Sequence, residues 1–182
     1  ASLNYSHTFH YIFGIAGNSV DLAGTHGPQS ISGDTGNPKD RATASLAWDL
    51  GPWNVTASVN YVGTYNLTDP TSGFNTCQQG IGFGGVQGPQ LARFPGVPLP
   101  AAAASLLNYC DVKSFTDVDL YAQYAFSKNF SVHGSILNVF GTQPPVDLQT
   151  YGAAPGNAPY NPAMAQAGAV GRFFNVGGTY TF

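Results

Sequence analysis

The stretch RATASLAWDLGPWNVTASVNYVG, Arg41 to Gly63, decides how the rest of the chain is read. Its first half places Ala42, Ala44, Leu46, Trp48 and Leu50 at even positions, against Thr43, Ser45 and Asp49 at odd ones. After Gly51-Pro52 the alternation resumes with Val55, Ala57, Val59 and Tyr61 against Thr56, Ser58 and Asn60. Successive side chains of a strand point to opposite faces, so a period of two marks a strand with one greasy and one wet side. Two such runs separated by Gly-Pro read as a hairpin.

The same period recurs outward from this hairpin. SFTDVDLYAQYAF sets Val118, Leu120, Ala122, Tyr124 and Phe126 against Asp117, Asp119, Tyr121 and Gln123. NFSVHGSILNVF sets Phe130, Val132 and Ile136 against Ser131, His133 and Ser135. The opening SLNYSHTFHYIFGI alternates Leu3, Tyr5, Phe9, Tyr11, Phe13 and Ile15 with Ser2, Asn4, Ser6, Thr8 and His10, and the closing VGRFFNVGGTYTF places Val170, Phe174, Val176, Tyr180 and Phe182 together. The count is about six strands of roughly ten residues, long enough to cross a bilayer as tilted strands.

Composition narrows the class. Of 182 residues only 8% are charged, whereas 13% are aromatic and 23 are Gly. An average soluble protein has about 25% charged residues, so this chain has too few to clothe an ordinary water-exposed surface. No apolar run approaches the roughly 18 to 20 residues of a membrane-spanning helix. A net charge of -3 with six basic residues leaves no electrostatic footprint for nucleic acid.

Connections alternate in length. Gly51-Pro52 and Ser127-Lys128 join strands directly, whereas the connections near 17–40, 66–113 and 141–168 are long and rich in Gly, Pro, Asn and Thr. Loops beyond about 15 residues are uncommon in compact soluble domains, but transmembrane barrels pair short periplasmic turns with long extracellular loops. Trp48 and Trp53 flank one short turn, and Tyr124, Phe126 and Phe130 flank the other. Those five form an expected aromatic girdle at the headgroup level. The pattern thus reads as an all-β, antiparallel transmembrane β-barrel segment of about six meandering strands. A soluble sheet with one solvated face is the alternative.

Within this reading the wet side chains line a lumen. Asn60, Asp119, Tyr121 and Gln123, with loop residues Tyr65, Phe74 and Asn75, offer the hydrogen-bonding edges and stacking faces that oligosaccharide or aromatic ligands use; the plainer account is an ordinary wetted wall. Cys77 and Cys110 would close a loop of about 34 residues, a bridge worth roughly 3 to 4 kcal/mol in an oxidising compartment; two free thiols remain the other reading. The histidines His7, His10, His26 and His133 are too scattered for metal ligation. GIGFGGVQG, Gly80 to Gly88, precedes no helix and so lacks the setting of a phosphate loop. With no Gly-x-Ser-x-Gly elbow, and with Asp117 and Asp119 repeating the wall period, neither catalysis nor a cofactor is expected.

The run SKNFSVHGSILNVFG (127–141) followed by YNPAMAQAGAVGRFFNVGGTYTF (160–182) resembles the C-terminal end of TonB-dependent outer-membrane receptors. The family's Asn-Leu-Phe-Asp-like motif reads here Asn138-Val139-Phe140-Gly141, without the Asp, and the segments 21–28, 38–65 and 114–126 fit the family order. The resemblance implies that residues 1–182 are the C-terminal barrel segment of a 22-stranded receptor with a plugged lumen, the plug and earlier strands lying outside this sequence. It implies energised uptake of a scarce nutrient across a bacterial outer membrane, with the C-terminus periplasmic. The partners would be outer-membrane lipid, the remaining barrel and plug, the TonB complex acting through that plug, and a small-molecule or oligosaccharide ligand. Asn175, Gly177, Tyr180 and Phe182 match the terminal signal read by the barrel-assembly machinery. The other functional readings are a passive pore or structural barrel assembled from several copies, and a soluble β-rich binding protein.

Overall fold

In a computed structural model of the chain, residues 1–15, 17–26, 36–66, 70, 111–145, 160–161 and 167–182 are described. The architecture is antiparallel β. Strands β1 (Ser2–His7), β4 (Asp40–Leu50), β5 (Trp53–Val62), β8 (Phe115–Ala125), β9 (Phe130–Leu137) and β10 (Phe173–Tyr180) form one sheet in that order. Each strand pairs with the next of these in sequence, so the sheet is a meander with β1 and β10 as its two edges. Two small ladders accompany it: β2 (Ile12–Ile15) with β3 (Asn18–Asp21), and β6 (Tyr65–Asn66) with β7 (Asp111–Val112). Among the described residues the sheet does not close into a barrel.

Register makes the two faces coherent. Residues directly opposite in an antiparallel pair point to the same side, so the pairs define rows across the sheet. Leu46, Ala57, Leu120, Ile136 and Phe174 make one apolar row, and Trp48, Val55, Ala122, Gly134 and Val176 make the next. Ala47, Thr56, Tyr121, Ser135 and Asn175 make a polar row between them, and Asp49, Asn54, Gln123, His133 and Gly177 another. A slip of one residue would exchange the faces, and none occurs across five successive pairings.

The hydrophobic core does not lie under this apolar face. Among the described residues the buried apolar side chains are Leu22, Ala23, Tyr65, Val112 and Phe115, all gathered at the end of the sheet where the long connections lie. There the backbone is tied by Gly24 N–H to Asn37 O (2.6 Å), Asn37 N–H to Thr25 O (2.9 Å) and Asn66 N–H to Gly24 O (2.8 Å). The apolar face itself stays open: Trp48 is 51% exposed, Phe174 61% and Val176 80%. Fully burying a side chain of this size is worth about 1.5–3 kcal/mol, and side chains left half or more exposed realise only part of it.

The opposite end is made by tight turns. Gly51 closes β4 to β5 at φ 59°, a left-handed conformation that suits glycine. Ser127 Oγ accepts the amides of Asn129 (3.2 Å) and Phe130 (3.1 Å) in the β8–β9 turn. Asn129 also fastens the chain end, donating from Nδ2 to Thr181 O at 2.8 Å while its carbonyl accepts the Thr181 amide at 2.9 Å.

The opening segment corrects the sequence reading. It was expected as one strand over 2–15, yet β1 ends at His7 and β2 begins a separate hairpin at Ile12. Asp21 captures the break: its Oδ1 accepts the amides of Tyr11 (2.9 Å) and Ala23 (3.0 Å), while its Oδ2 meets His10 Nδ1 at 2.7 Å. Alternation runs through the break because both pieces are strands. It carries no mark of the change of sheet.

Asn138 ends β9 and locks the loop beyond it. It is fully buried with φ 49°, a region that Asn tolerates better than most residues. Its Nδ2 donates to Thr142 O (3.0 Å) and Ala167 O (3.2 Å), its Oδ1 accepts the Thr142 amide (2.8 Å), and its own amide donates to Asp119 Oδ1 (2.8 Å). Asn138→Ala is expected to destabilise the fold by about 2–3 kcal/mol, since buried carbonyls and an amide lose their partners. Asn138→Gly should cost less than Asn138→Ala, because Gly relieves the backbone strain. Equilibrium unfolding followed by tryptophan emission measures both.

Candidate functional site

The polar face brings most of the anticipated binding residues together. Asn60 on β5 donates from Nδ2 to Asp117 Oδ2 at 3.1 Å and accepts from Thr43 Oγ1 at 3.4 Å. On β8, Tyr121 donates its hydroxyl to Gln123 Oε1 at 3.0 Å, and Gln123 Nε2 donates to Ser131 Oγ at 3.2 Å. Asp119 stands between these groups on the same face. The polar face thus carries several separate clusters in which short and medium side chains satisfy one another, mostly across strands.

Tyr65 is placed elsewhere. It is 3% exposed within the loop-end core, accepts a hydrogen bond from Asn161 Nδ2 at 3.3 Å, and has Gly36 against its ring so closely that a Cβ there would lie 2.7 Å from ring carbons. Its hydroxyl and ring serve the core, not an open surface. Phe74, Asn75, Cys77 and Cys110 lie outside the described residues.

The proposed girdle and terminal-signal residues also take definite places. Trp53 and Tyr124 meet edge to face at 4.7 Å, Tyr124 and Phe126 do so at 4.7 Å, and Phe126 and Phe130 stack at 5.5 Å. Trp48 lies in the neighbouring apolar row. Tyr180 pairs with Phe130 and packs its ring on Phe182 at 5.2 Å, so the aromatic line continues to the last residue. Asn175 and Gly177 fall in rows of the polar face.

Two features of the polar face were not singled out from the sequence. His133 stacks with Tyr121, with centroids 6.2 Å and planes 26° apart, and it lies over Gly177, where an added Cβ would be 2.6 Å from Nε2. The second feature is a cleft of about 360 Å³ lined by Asp119, Leu137, Ala167, Val170, Gly171 and Phe173. Val170, expected beside Phe174 on the apolar face, belongs instead to the helical residues 167–170. The available signal was the doublets Ile136-Leu137 and Phe173-Phe174, in which one of two adjacent apolar residues has to face the polar side.

At the loop end two histidine–carboxylate contacts hold exposed segments. His7 Nδ1 lies 2.6 Å from Asp40 Oδ1, which also accepts the Tyr5 hydroxyl at 2.6 Å, and His10 pairs with Asp21 as described. The Asp21 carboxyl, outside the six long strands, is held well below the usual carboxylate range, chiefly by the Tyr11 amide and then by the His10 side chain and the Ala23 amide. No protein-family model matches the chain, and no curated protein matches it.

Gly177→Ala should push the His133 ring off its place and cost about 1 kcal/mol through the lost ring pair. The cost should disappear in a His133→Ala background, a coupling that a double-mutant cycle measures. For Asp21, a depressed folded-state pKa means that its contribution is present above the ordinary aspartate range of about pH 4 and is lost as pH falls through the lower folded value. Hydrogen exchange should therefore show the Tyr11 and Ala23 amides protected at pH 5, losing protection only in strong acid, and unprotected at both pH values in Asp21→Ala.

Proposed function

We propose that this chain is part of the wall of an outer-membrane β-barrel and serves TonB-dependent uptake of a scarce small molecule or oligosaccharide. One observation supports the wall most directly: among the described residues nothing is layered on the apolar face of the six-stranded sheet, and the opposite face is polar. A sheet in water normally lays its greasy side on a core. Here lipid would cover that side, while the polar rows would face the lumen and its plug. The aromatic line from Trp53 to Phe182 fits a headgroup boundary, where rings are favourable; in this reading the tight turns and the C-terminus are periplasmic.

Uptake rests on the resemblance of residues 127–141 and 160–182 to TonB-dependent receptors. In that reading the long connections form extracellular loops, the plug couples to the TonB complex, and the barrel-assembly machinery recognises Asn175, Gly177, Tyr180 and Phe182. The chain contributes no chemistry of its own. The two open edges, β1 and β10, favour a second reading, a passive pore or structural barrel built from several copies.

The only two tryptophans of the chain, Trp48 and Trp53, both belong to the apolar rows near one turn. Reconstituted in vesicles, their emission should be quenched by brominated lipids, more by bromines near the headgroups than by bromines at the chain ends. Emission indifferent to brominated lipid would remove the membrane reading. Active transport is tested separately by the reading frame upstream of Ala1: it should encode a plug and the preceding strands, and their absence leaves the passive reading.

A further inference from the structure

On the polar face of the six strands, every exposed large apolar side chain belongs to one pair, Leu137 on β9 and Phe173 on β10, which are 42% and 48% exposed. By continuation of the β8–β9 register Asp119 stands opposite Leu137, so carboxylate, leucine and phenylalanine lie in one row. The helical residues 167–170 bring Ala167 and Val170 above them, and together these residues enclose the cleft of about 360 Å³. That volume is within the range of small-ligand pockets.

Its chemistry is uneven in an informative way. The lining is apolar except for Asp119, one of whose oxygens accepts the Asn138 amide. Among the described residues the other oxygen has no hydrogen bond, and no cation is ion-paired with the group. Asp117, two residues earlier on the same face of β8, is turned to Asn60, from whose Nδ2 it accepts a hydrogen bond at 3.1 Å. Asn138 stiffens the site from both sides, with its amide on Asp119 and its side chain on the Ala167 carbonyl.

We infer that this cleft is a binding subsite for a small apolar or aromatic molecule carrying a cationic amine, with the ring against Leu137, Val170 and Phe173 and the ammonium on Asp119. The inference rests on the uptake reading above and gives its substrate a chemical class. A neutral sugar lacks the apolar body to fill such a lining. An anion would meet the Asp119 carboxylate.

Calorimetric titration tests it, with the full chain in lipid nanodiscs, empty nanodiscs as the blank, and tryptamine as the probe. Tryptamine should bind saturably at one site, while indole-3-acetate, with the same ring and opposite charge, should give no saturable heat. Asp119→Asn keeps an acceptor for the Asn138 amide and should weaken tryptamine about tenfold. Phe173→Ser should weaken it comparably, with Phe173→Leu restoring most of the affinity. Leu137→Ser replaces Phe173→Ser if the latter loses the wild-type far-ultraviolet dichroism. Absence of saturable tryptamine binding, equal binding of indole-3-acetate, or unchanged affinity in Asp119→Asn would each overturn the assignment. Brominated-lipid quenching in nanodiscs of the same preparation keeps the two readings apart: a quenched chain that does not bind sinks the subsite alone, and an unquenched one sinks the wall.

Discussion

An apolar sheet face has to leave water, and within the described residues nothing does this for the six-stranded sheet. The four inner strands pair on both sides through the meander, and many polar side chains satisfy one another across it. What remains is a face of Leu, Val, Phe, Trp and Tyr whose burial depends on the surroundings of the chain. The small core of Leu22, Tyr65, Val112 and Phe115 braces one end only. Such a sheet takes its stability from the medium or from a partner, which makes its environment part of its folding problem.

That arrangement was legible because the side-chain period of a strand is two and the chain keeps to it. The 41–63 hairpin, the β8–β9 hairpin and the closing strand could be located within a few residues, and the two faces follow from parity alone. Parity says nothing of where a strand leaves its sheet. The run from Ser2 to Ile15 therefore looked continuous, although Asp21, ten residues beyond Tyr11, folds the chain into a second hairpin. The β6–β7 pair joins Tyr65 to Val112 across more than forty residues of sequence; so local a period cannot announce so distant a contact.

The candidate site divides along the same line. Asp119, Tyr121 and Gln123 share a face because they share a parity along β8, and Asn60, on the polar parity of its own strand, joins them through the β5–β8 register. Tyr65 has the chemistry of a ligand platform but lies in the core, a matter of tertiary packing. Leu137 and Phe173 were overlooked because each has an apolar neighbour that fits the pattern better. Their exposure on the wet side becomes meaningful once the register sets them beside Asp119.

The register also skews the sheet. The row through Ser2, at the start of β1, runs through Ser45, Ser58, Asp119 and Leu137 to Phe173, at the start of β10. From that row β1 climbs toward the loops and β10 descends toward the turns, so the two edges have a single row in common and the sheet is a slanted parallelogram. Rolled about an axis, such a piece traces a helical ramp, with strands inclined to the axis as the geometry of closed barrels demands. A strand added to either edge inherits that offset. Any complete wall built on this chain must therefore advance along its axis as it goes round, and a flat stack of copies joined edge to edge would pair only if each were displaced by nearly the length of a strand.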